Sequence, residues 1–126
     1  MAQLELMAVD TTVLIDALRG HEPARAWLAS LDRRLVASEV SRVEVLRGIR
    51  TNERATAEAL LRAFRWISVD ESIARRAGSL GRDWRRSHRL SVADLVVAAT
   101  AQELGAPLAT ANVRHFPMFA GLEPPY

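Results

Sequence analysis

Short apolar segments alternate with longer amphipathic ones along this chain. The short segments have the length of buried strands, and they cover residues 4–9, 35–37, 66–69, 108–110 and 117–120. Apolar residues at helical spacing predict helices over 11–19, 23–31, about 43–49, 55–64, 70 or 72 to about 87, and 91–104. Strands that alternate with helices are typical of an α/β fold with a mostly parallel sheet. The tail, 121–126, is expected to be irregular.

The amino-acid composition excludes several kinds of catalytic and metal-binding site. The 126 residues include no Cys, which excludes disulfides, thiolate zinc sites and cysteine nucleophiles. All 17 basic residues are Arg, so a catalytic lysine and a P-loop are excluded as well. A net charge of +2 favours an anionic partner only weakly. No apolar run approaches the ~18 residues of a membrane span, and the N-terminus lacks a basic signal region, so we expect a cytoplasmic protein without membrane contact.

Carboxylates occur where the predicted strands end or the predicted helices begin. Asp10 directly follows the first strand, while Glu44 and Asp94 each take the fourth place of a Ser-x-x-acid pattern that starts at Ser41 and Ser91. Ligands of a parallel sheet bind at the carboxyl ends of its strands. Both later acids are predicted in the first turn of a helix, where the backbone dipole favours a charged carboxylate.

Each acid also has a purely structural interpretation. The Ser-x-x-acid patterns match capping boxes, and Asp10 could be the N-cap of the next helix. Asp94 fits a capping box less well, because the helix that follows it is apolar all round and therefore buried. Asp16 is expected to form a surface pair with Arg19. Three histidines show no metal-ligand spacing and are expected to be packed or solvent-facing: His21, His88 and His115.

Four segments, in this order and spacing, resemble one protein family. They are Asp-Thr-Thr-Val-Leu-Ile-Asp at 10–16, Ser-Arg-Val-Glu-Val-Leu-Arg-Gly at 41–48, Ser-Val-Ala-Asp-Leu-Val-Val-Ala-Ala-Thr-Ala at 91–101, and Leu-Ala-Thr-Ala-Asn-Val-Arg-His-Phe at 108–116. Together they resemble the PIN-domain ribonucleases, most closely the VapC-type toxins of bacterial toxin–antitoxin modules. The resemblance spans essentially the whole chain. It implies one PIN domain over residues 1–126, folded as a three-layer α/β/α sandwich.

The resemblance implies a metal-dependent endoribonuclease with an acidic site. Asp10, Glu44 and Asp94 match the three core acids of the family. Asp10 and Asp94 would hold the metal ion directly or through water, and Glu44 would either hold it or act as the base. Carboxylates without His or Cys select a hard cation, here Mg²⁺ with Mn²⁺ as the alternative. Three polar residues are expected to support the site, the last of them where many members carry a fourth Asp: Thr12, Thr110 and Asn112.

A basic segment precedes the helix of Asp94. Arg85, Arg86 and Arg89 could bind RNA phosphates, and Trp84 could stack on a base. The alternative is a solvated helix face with Trp84 in the core.

Two short helices carry more apolar side chains than their length requires. These apolar side chains are Trp27, Leu28, Leu31, Leu60, Leu61 and Phe64. Packing on the sheet explains most of them. The resemblance adds an antitoxin helix as a partner for a groove in this region, and a homodimer as the expected assembly.

Two other functions compete with the ribonuclease. Phosphatases of the haloacid dehalogenase type open with a similar strand, but they need a second Asp where this chain has Thr12, and they normally use a lysine. Response-regulator receivers are excluded because they need a lysine, and this chain has none. A catalytically inactive PIN-like module that binds RNA or protein remains the alternative from a different class. Metal-dependent RNA cleavage would distinguish it from the enzyme.

Overall fold

The computed structural model describes residues 5–126, which form one four-stranded sheet with six helices. The strands are β1 (Leu6–Val9), β2 (Arg34–Ser38), β3 (Arg65–Ile67) and β4 (Leu108–Ala109). The helices are α1 (Thr11–Leu18), α2 (Glu22–Ser30), α3 (Glu39–Gly48), α4 (Arg54–Leu61), α5 (Glu71–Trp84) and α6 (Val92–Leu104), followed by a 3₁₀ turn at Val113–His115. None of the helices within 5–126 is long and apolar enough to cross a membrane.

The sheet is parallel throughout, as the alternation of strands and helices predicts. Its strand order is β3-β2-β1-β4, so the first strand of the chain lies in the interior of the sheet. Met7 pairs with Leu35 on one side of β1, and Ala8 pairs with Leu108 on the other. All three strand pairings are parallel. The carboxyl ends of β1 and β4 therefore meet at one edge of the sheet.

Two apolar clusters cover the two faces of the sheet and create three layers. Because side chains alternate along a strand, Ala8 and Val36 pack under α5 and α6, whereas Val9 and Ala37 pack under α1 and α4. The middle of α6 is buried on all sides, as its composition predicts. This arrangement confirms the three-layer α/β/α prediction.

The predicted elements are found with small shifts of their ends, with one exception. The predicted residue Leu4 of the first strand lies outside the described residues. The strand predicted at 117–120 is wrong, because this segment forms turns instead. Pro117 lacks the amide hydrogen that a sheet requires, and the amide of Phe119 donates to the carbonyl of Phe116 at 3.1 Å. Met118 and Phe119 pack against the cluster under α5 and α6, which explains the apolar character of the segment.

Candidate active site

The three predicted acids line one cavity, although they come from three distant segments. The cavity has a volume of about 340 Å³ and lies beyond the carboxyl end of β1. Its lining residues are Asp10, Thr11, Thr12, Ile15, Asp16, Glu44, Arg47 and Asp94. The fold therefore collects four carboxylates and one guanidinium around a space large enough for a hydrated ion and part of a substrate.

Asp10 is the most buried of these acids, with 3% of its surface exposed. Its Oδ2 accepts hydrogen bonds from the hydroxyl of Thr12 at 2.9 Å and from that of Thr110 at 2.8 Å. Burial raises the pKa of the Asp10 carboxyl, the hydroxyl bonds oppose that rise, and the charge of Asp94 adds to it. Asp10 is the N-cap residue of α1, as the structural interpretation predicts, but its side chain makes no hydrogen bond to the helix end.

Thr12 and Thr110 form a hydroxyl layer beneath Asp10. Thr110 is fully buried, and its Oγ1 accepts the amide of Asn112 at 3.0 Å while it donates to Asp10. The Oγ1 of Thr12 accepts the amide of Ala111 at 3.1 Å. These bonds leave each hydroxyl proton to point at the carboxylate, which fixes the orientation of Asp10.

Glu44 reaches the cavity from the second turn of α3. The helix begins at Glu39, because Ser38 accepts the amide of Val40 at 3.1 Å and is the N-cap. The expectation that Ser41 caps the helix and that Glu44 lies in its first turn is therefore wrong. Ser41 is buried instead, with its hydroxyl 2.8 Å from that of Thr11. Thr11 also donates to Oε1 of Glu44 at 2.6 Å, which holds this carboxylate at the cavity wall.

Asp94 lies in the first turn of α6, as predicted. Ser91 caps the helix by accepting the amide of Asp94 at 3.0 Å, so the serine half of the capping box is confirmed. The carboxylate itself contacts His115, whose Nδ1 lies 3.1 Å from Oδ2 of Asp94. The sequence gives no local signal for this contact, because His115 belongs to the 3₁₀ turn after β4.

Two charged residues of the cavity were not among the predicted site residues. Asp16 was expected to pair with Arg19, but Arg19 binds Glu53 at 3.0 Å, and Asp16 accepts the hydroxyl of Tyr126 at 2.6 Å. Arg47 is the second. Its position three residues after Glu44, on the same face of a helix, is the signal that could have identified it.

The remaining predicted residues lie away from this cavity. Asn112 contributes its backbone amide to Thr110 but does not line the cavity. Arg85, Arg86 and Arg89 are exposed and do not line it either. Arg85 and Arg89 instead border a separate cavity of about 300 Å³. Trp84, which lines the same cavity, is half-buried and makes an edge contact with His88 at 5.6 Å between ring centroids.

The donor set fits a hard divalent cation that keeps much of its water. Within residues 5–126, no three acidic or histidine side chains converge closely enough to form a complete ligand cage. Mg²⁺ is commonly held by only one or two carboxylates, with water in its other positions. All the candidate ligands here are carboxylates, and mutual repulsion between Asp10 and Asp94 favours a cation between them. These residues therefore match Mg²⁺ or Mn²⁺ better than a softer metal.

Comparison with known proteins agrees with the geometry. The family model for the PIN domain matches residues 7–121. The chain belongs to the PIN-domain family. Ribonuclease VapC19 of Mycobacterium tuberculosis is 47% identical over 122 residues, which cover 94% of this chain and 98% of that protein. Ribonuclease VapC10 of the same species is 48% identical over 124 residues, with 96% and 93% covered.

A solved structure has the same fold over nearly the whole length of its chain. It is a chain of a toxin–antitoxin complex from Klebsiella pneumoniae, 29% identical, with a TM-score of 0.80 and coverage of 95% of this chain and 98% of that one. The resemblance to VapC-type PIN domains is thus confirmed in sequence and in fold.

Proposed function

We propose that this protein is a metal-dependent endoribonuclease that hydrolyses RNA phosphodiester bonds and acts as the toxin of a toxin–antitoxin pair. The observation that carries the proposal is the single cavity shared by Asp10, Glu44 and Asp94. The ribonuclease names of two relatives at 47% and 48% identity support the choice of RNA as the substrate.

The three acids take different parts in this reaction. Asp10 and Asp94 would hold Mg²⁺ or Mn²⁺, directly or through water. When bound, the cation lowers the pKa of a coordinated water and offsets negative charge at the phosphate. Glu44 would hold the cation or accept a proton from the attacking water. The hydroxyls of Thr12 and Thr110 keep Asp10 in one orientation, because both donate to the same oxygen.

The test is cleavage of total cellular RNA by purified protein freed of any bound antitoxin. Wild type, Asp94→Asn and Asp83→Asn are compared in Mg²⁺, in Mn²⁺ and in EDTA. Asp83 is exposed and outside the cavity, so its variant is a matched control for the loss of one charge. We expect discrete fragments from wild type and Asp83→Asn with metal, and none with EDTA or from Asp94→Asn.

A different pattern would change the conclusion. Equal cleavage by Asp94→Asn would remove Asp94 from the mechanism. No cleavage in either metal by folded, antitoxin-free wild type would favour the alternative, an inactive PIN-like module that binds RNA or protein. A rise in melting temperature with Mg²⁺ but no cleavage would also favour that module.

We extend the proposal to an antitoxin that would dock between α1, α2 and α4. An apolar cavity of about 520 Å³ lies there, and Leu28, Leu60 and Phe64 are among its lining residues. Arg25 stands in its wall and could pair with an acidic group of the partner. Introducing a charge by Leu60→Glu should weaken the complex with the antitoxin without reducing RNA cleavage. An unchanged dissociation constant would contradict this location.

The proposal also includes an RNA-binding surface, a homodimer contact and a cellular location. Arg85, Arg86 and Arg89 would bind RNA at a distance from the cleavage site, since they are exposed and lie outside the carboxylate cavity. Neutralising Arg85 and Arg86 should reduce the salt dependence of RNA binding.

Val43, 62% exposed on α3, is an apolar side chain that a second copy in a homodimer could cover. The cytoplasm, where RNA is available, is the proposed location.

A further inference from the structure

Arg47 is the charged residue of the carboxylate cavity that the proposed mechanism leaves without a role. It lies three residues after Glu44 on α3, and residues at this spacing share one face of a helix. Among the cavity-lining residues within 5–126, it alone is basic. Its side chain is placed at the exposed margin of a cavity whose other charges are carboxylates.

The guanidinium of Arg47 is not neutralised by a neighbour. Arg42 on the same helix binds Glu39 at 2.6 Å, and Arg19 binds Glu53 at 3.0 Å. Arg47, by contrast, makes no ion pair or side-chain hydrogen bond within the described part of the chain. Glu44 is a neighbour by spacing, but it forms no ion pair with Arg47, and its Oε1 accepts the hydroxyl of Thr11 at 2.6 Å. The five donors of Arg47 are therefore available to a ligand.

We propose that Arg47 binds the non-bridging oxygens of the phosphodiester that is cleaved. A phosphate that approaches four carboxylates is repelled, and a positive group on the protein is needed beside the cation to hold it. The planar guanidinium suits this task, because it can donate two parallel hydrogen bonds to a phosphate. This inference rests on the proposed ribonuclease function and adds a residue that touches the substrate.

The same contact would contribute to catalysis. Negative charge grows on the non-bridging oxygens as water attacks phosphorus, so a donor already aimed at them binds the transition state more strongly than the substrate. Arg47 would then affect the rate of cleavage as well as the binding of RNA. The alternative role, a counter-ion that only reduces repulsion among the carboxylates, predicts loss of stability without loss of an RNA contact.

The first experiment measures RNA binding where no cleavage occurs. The probe is a fluorescein-labelled, mixed-sequence single-stranded RNA, titrated in EDTA at several salt concentrations with Asp94→Asn as the parent protein. Arg47→Ala and Arg50→Ala are each added to this parent. Arg50 is an exposed arginine just beyond α3 and outside the cavity, which makes it a matched control. We expect the salt slope to fall by about 0.7 for Arg47→Ala and to stay unchanged for Arg50→Ala.

The second experiment measures cleavage and metal binding in the otherwise wild-type protein. Removing one transition-state donor lowers kcat by about 10²- to 10³-fold in comparable sites, and this is the loss we expect for Arg47→Ala. Arg47→Lys should retain part of the rate, since it keeps the charge but loses the paired donors. Affinity for Mn²⁺ should be equal or higher in Arg47→Ala, because a repelling charge is gone.

These results separate the inference from the proposed function. Arg47→Ala that matches Arg50→Ala in salt slope and in cleavage would overturn the role of Arg47. Reduced cleavage together with an unchanged salt slope and a lower melting temperature would also overturn it, in favour of the counter-ion. If wild type does not cleave RNA while the salt slope still falls for Arg47→Ala, the ribonuclease proposal fails and the RNA contact stands.

Discussion

Replacing Asp10 by Asn should make the metal-free protein more stable, although it should abolish RNA cleavage. The carboxylate is buried with 3% of its surface exposed, and burial raises its pKa above the ordinary value of 3.8 in spite of the hydroxyl bonds it accepts. A raised pKa means that the charged form is disfavoured in the folded state. Asn removes that charge, and its amide oxygen can still accept the hydroxyls of Thr12 and Thr110, which both donate to Oδ2.

The size of the effect follows from the scale of such substitutions. A single stabilising substitution commonly adds about 0.5–2 kcal/mol, and a destabilised active site is a place where such a gain costs activity. An unfolding entropy of about 2.1 cal/mol/K per residue over 126 residues gives roughly 0.26 kcal/mol/K. The melting temperature of Asp10→Asn in EDTA should therefore exceed that of wild type by about 2–8 °C.

The dependence of this difference on pH has a definite sign. Because the pKa of Asp10 is higher in the folded state, the folded protein holds its proton more tightly, and wild type gains stability as pH falls through that raised pKa towards 3.8. The advantage of Asp10→Asn should be complete at pH 7 and should shrink in this acidic window. Asp83→Asn, at an exposed position, should show no such advantage.

Thermal denaturation at pH 7, with and without Mg²⁺, provides the measurement. Mg²⁺ at about 100 times its dissociation constant stabilises a protein by about 2.7 kcal/mol, or roughly 10 °C here. Wild type should show this shift and Asp10→Asn should lose most of it. A lower melting temperature of Asp10→Asn in EDTA would refute the reasoning that the site strains the metal-free fold. An equal Mg²⁺ shift in both proteins would refute the assignment of Asp10 as a ligand.

Two further substitutions test the contacts around the site and the fold. Thr110→Val removes a hydroxyl that donates to the buried carboxylate of Asp10 at 2.8 Å, which should cost about 1.5–3 kcal/mol and lower the melting temperature by roughly 6–11 °C. Thr110→Ser should retain most of the stability, and equal melting temperatures for the Val and Ser variants would contradict the hydrogen bond. Asp70 caps α5, because its Oδ1 accepts the amide of Ile73 at 2.9 Å. Asp70→Ala should therefore cost about 1 kcal/mol and lower the melting temperature by roughly 4 °C. Asp70→Ser keeps a capping oxygen and serves as the control, so an equal loss of stability in the Ser variant would contradict the capping role.

The parts of the fold that local sequence predicts are those whose signals are local. The buried helix α6 is recognisable from sequence because its own residues are apolar on every face, Ser91 precedes it and Gly105 follows it. In the structure Gly105 has a φ of 61°, a conformation that favours glycine. The start of α3 is ambiguous by the same criteria, since Ser38 and Ser41 both suit an N-cap. A tertiary contact decides it, because the hydroxyl of Ser41 lies against Thr11 and is not available to the helix end.

The candidate site shows the same limit. Asp10, Glu44 and Asp94 can be selected from short motifs, and the parallel sheet explains why segments far apart in sequence end near one another. The bond between Asp16 and Tyr126 spans 110 residues, and no periodic pattern predicts such a pairing. His115 reaches Asp94 because the segment after β4 turns instead of forming a strand. Side-chain partners of this kind depend on the packed tertiary structure.

The interior position of β1 has a consequence for the timing of synthesis. Asp10 receives its hydrogen bond from Thr110, a residue 100 positions later, and β1 pairs with β4 only when both have been made. Ribosomes add about 5–20 residues per second, so roughly 5–20 s separate the synthesis of these two partners. During this interval one side of β1 lacks its neighbour strand, and the carboxylate of Asp10 lacks half of its hydroxyl support. A nascent chain therefore cannot hold the completed cavity until nearly all of it has been translated.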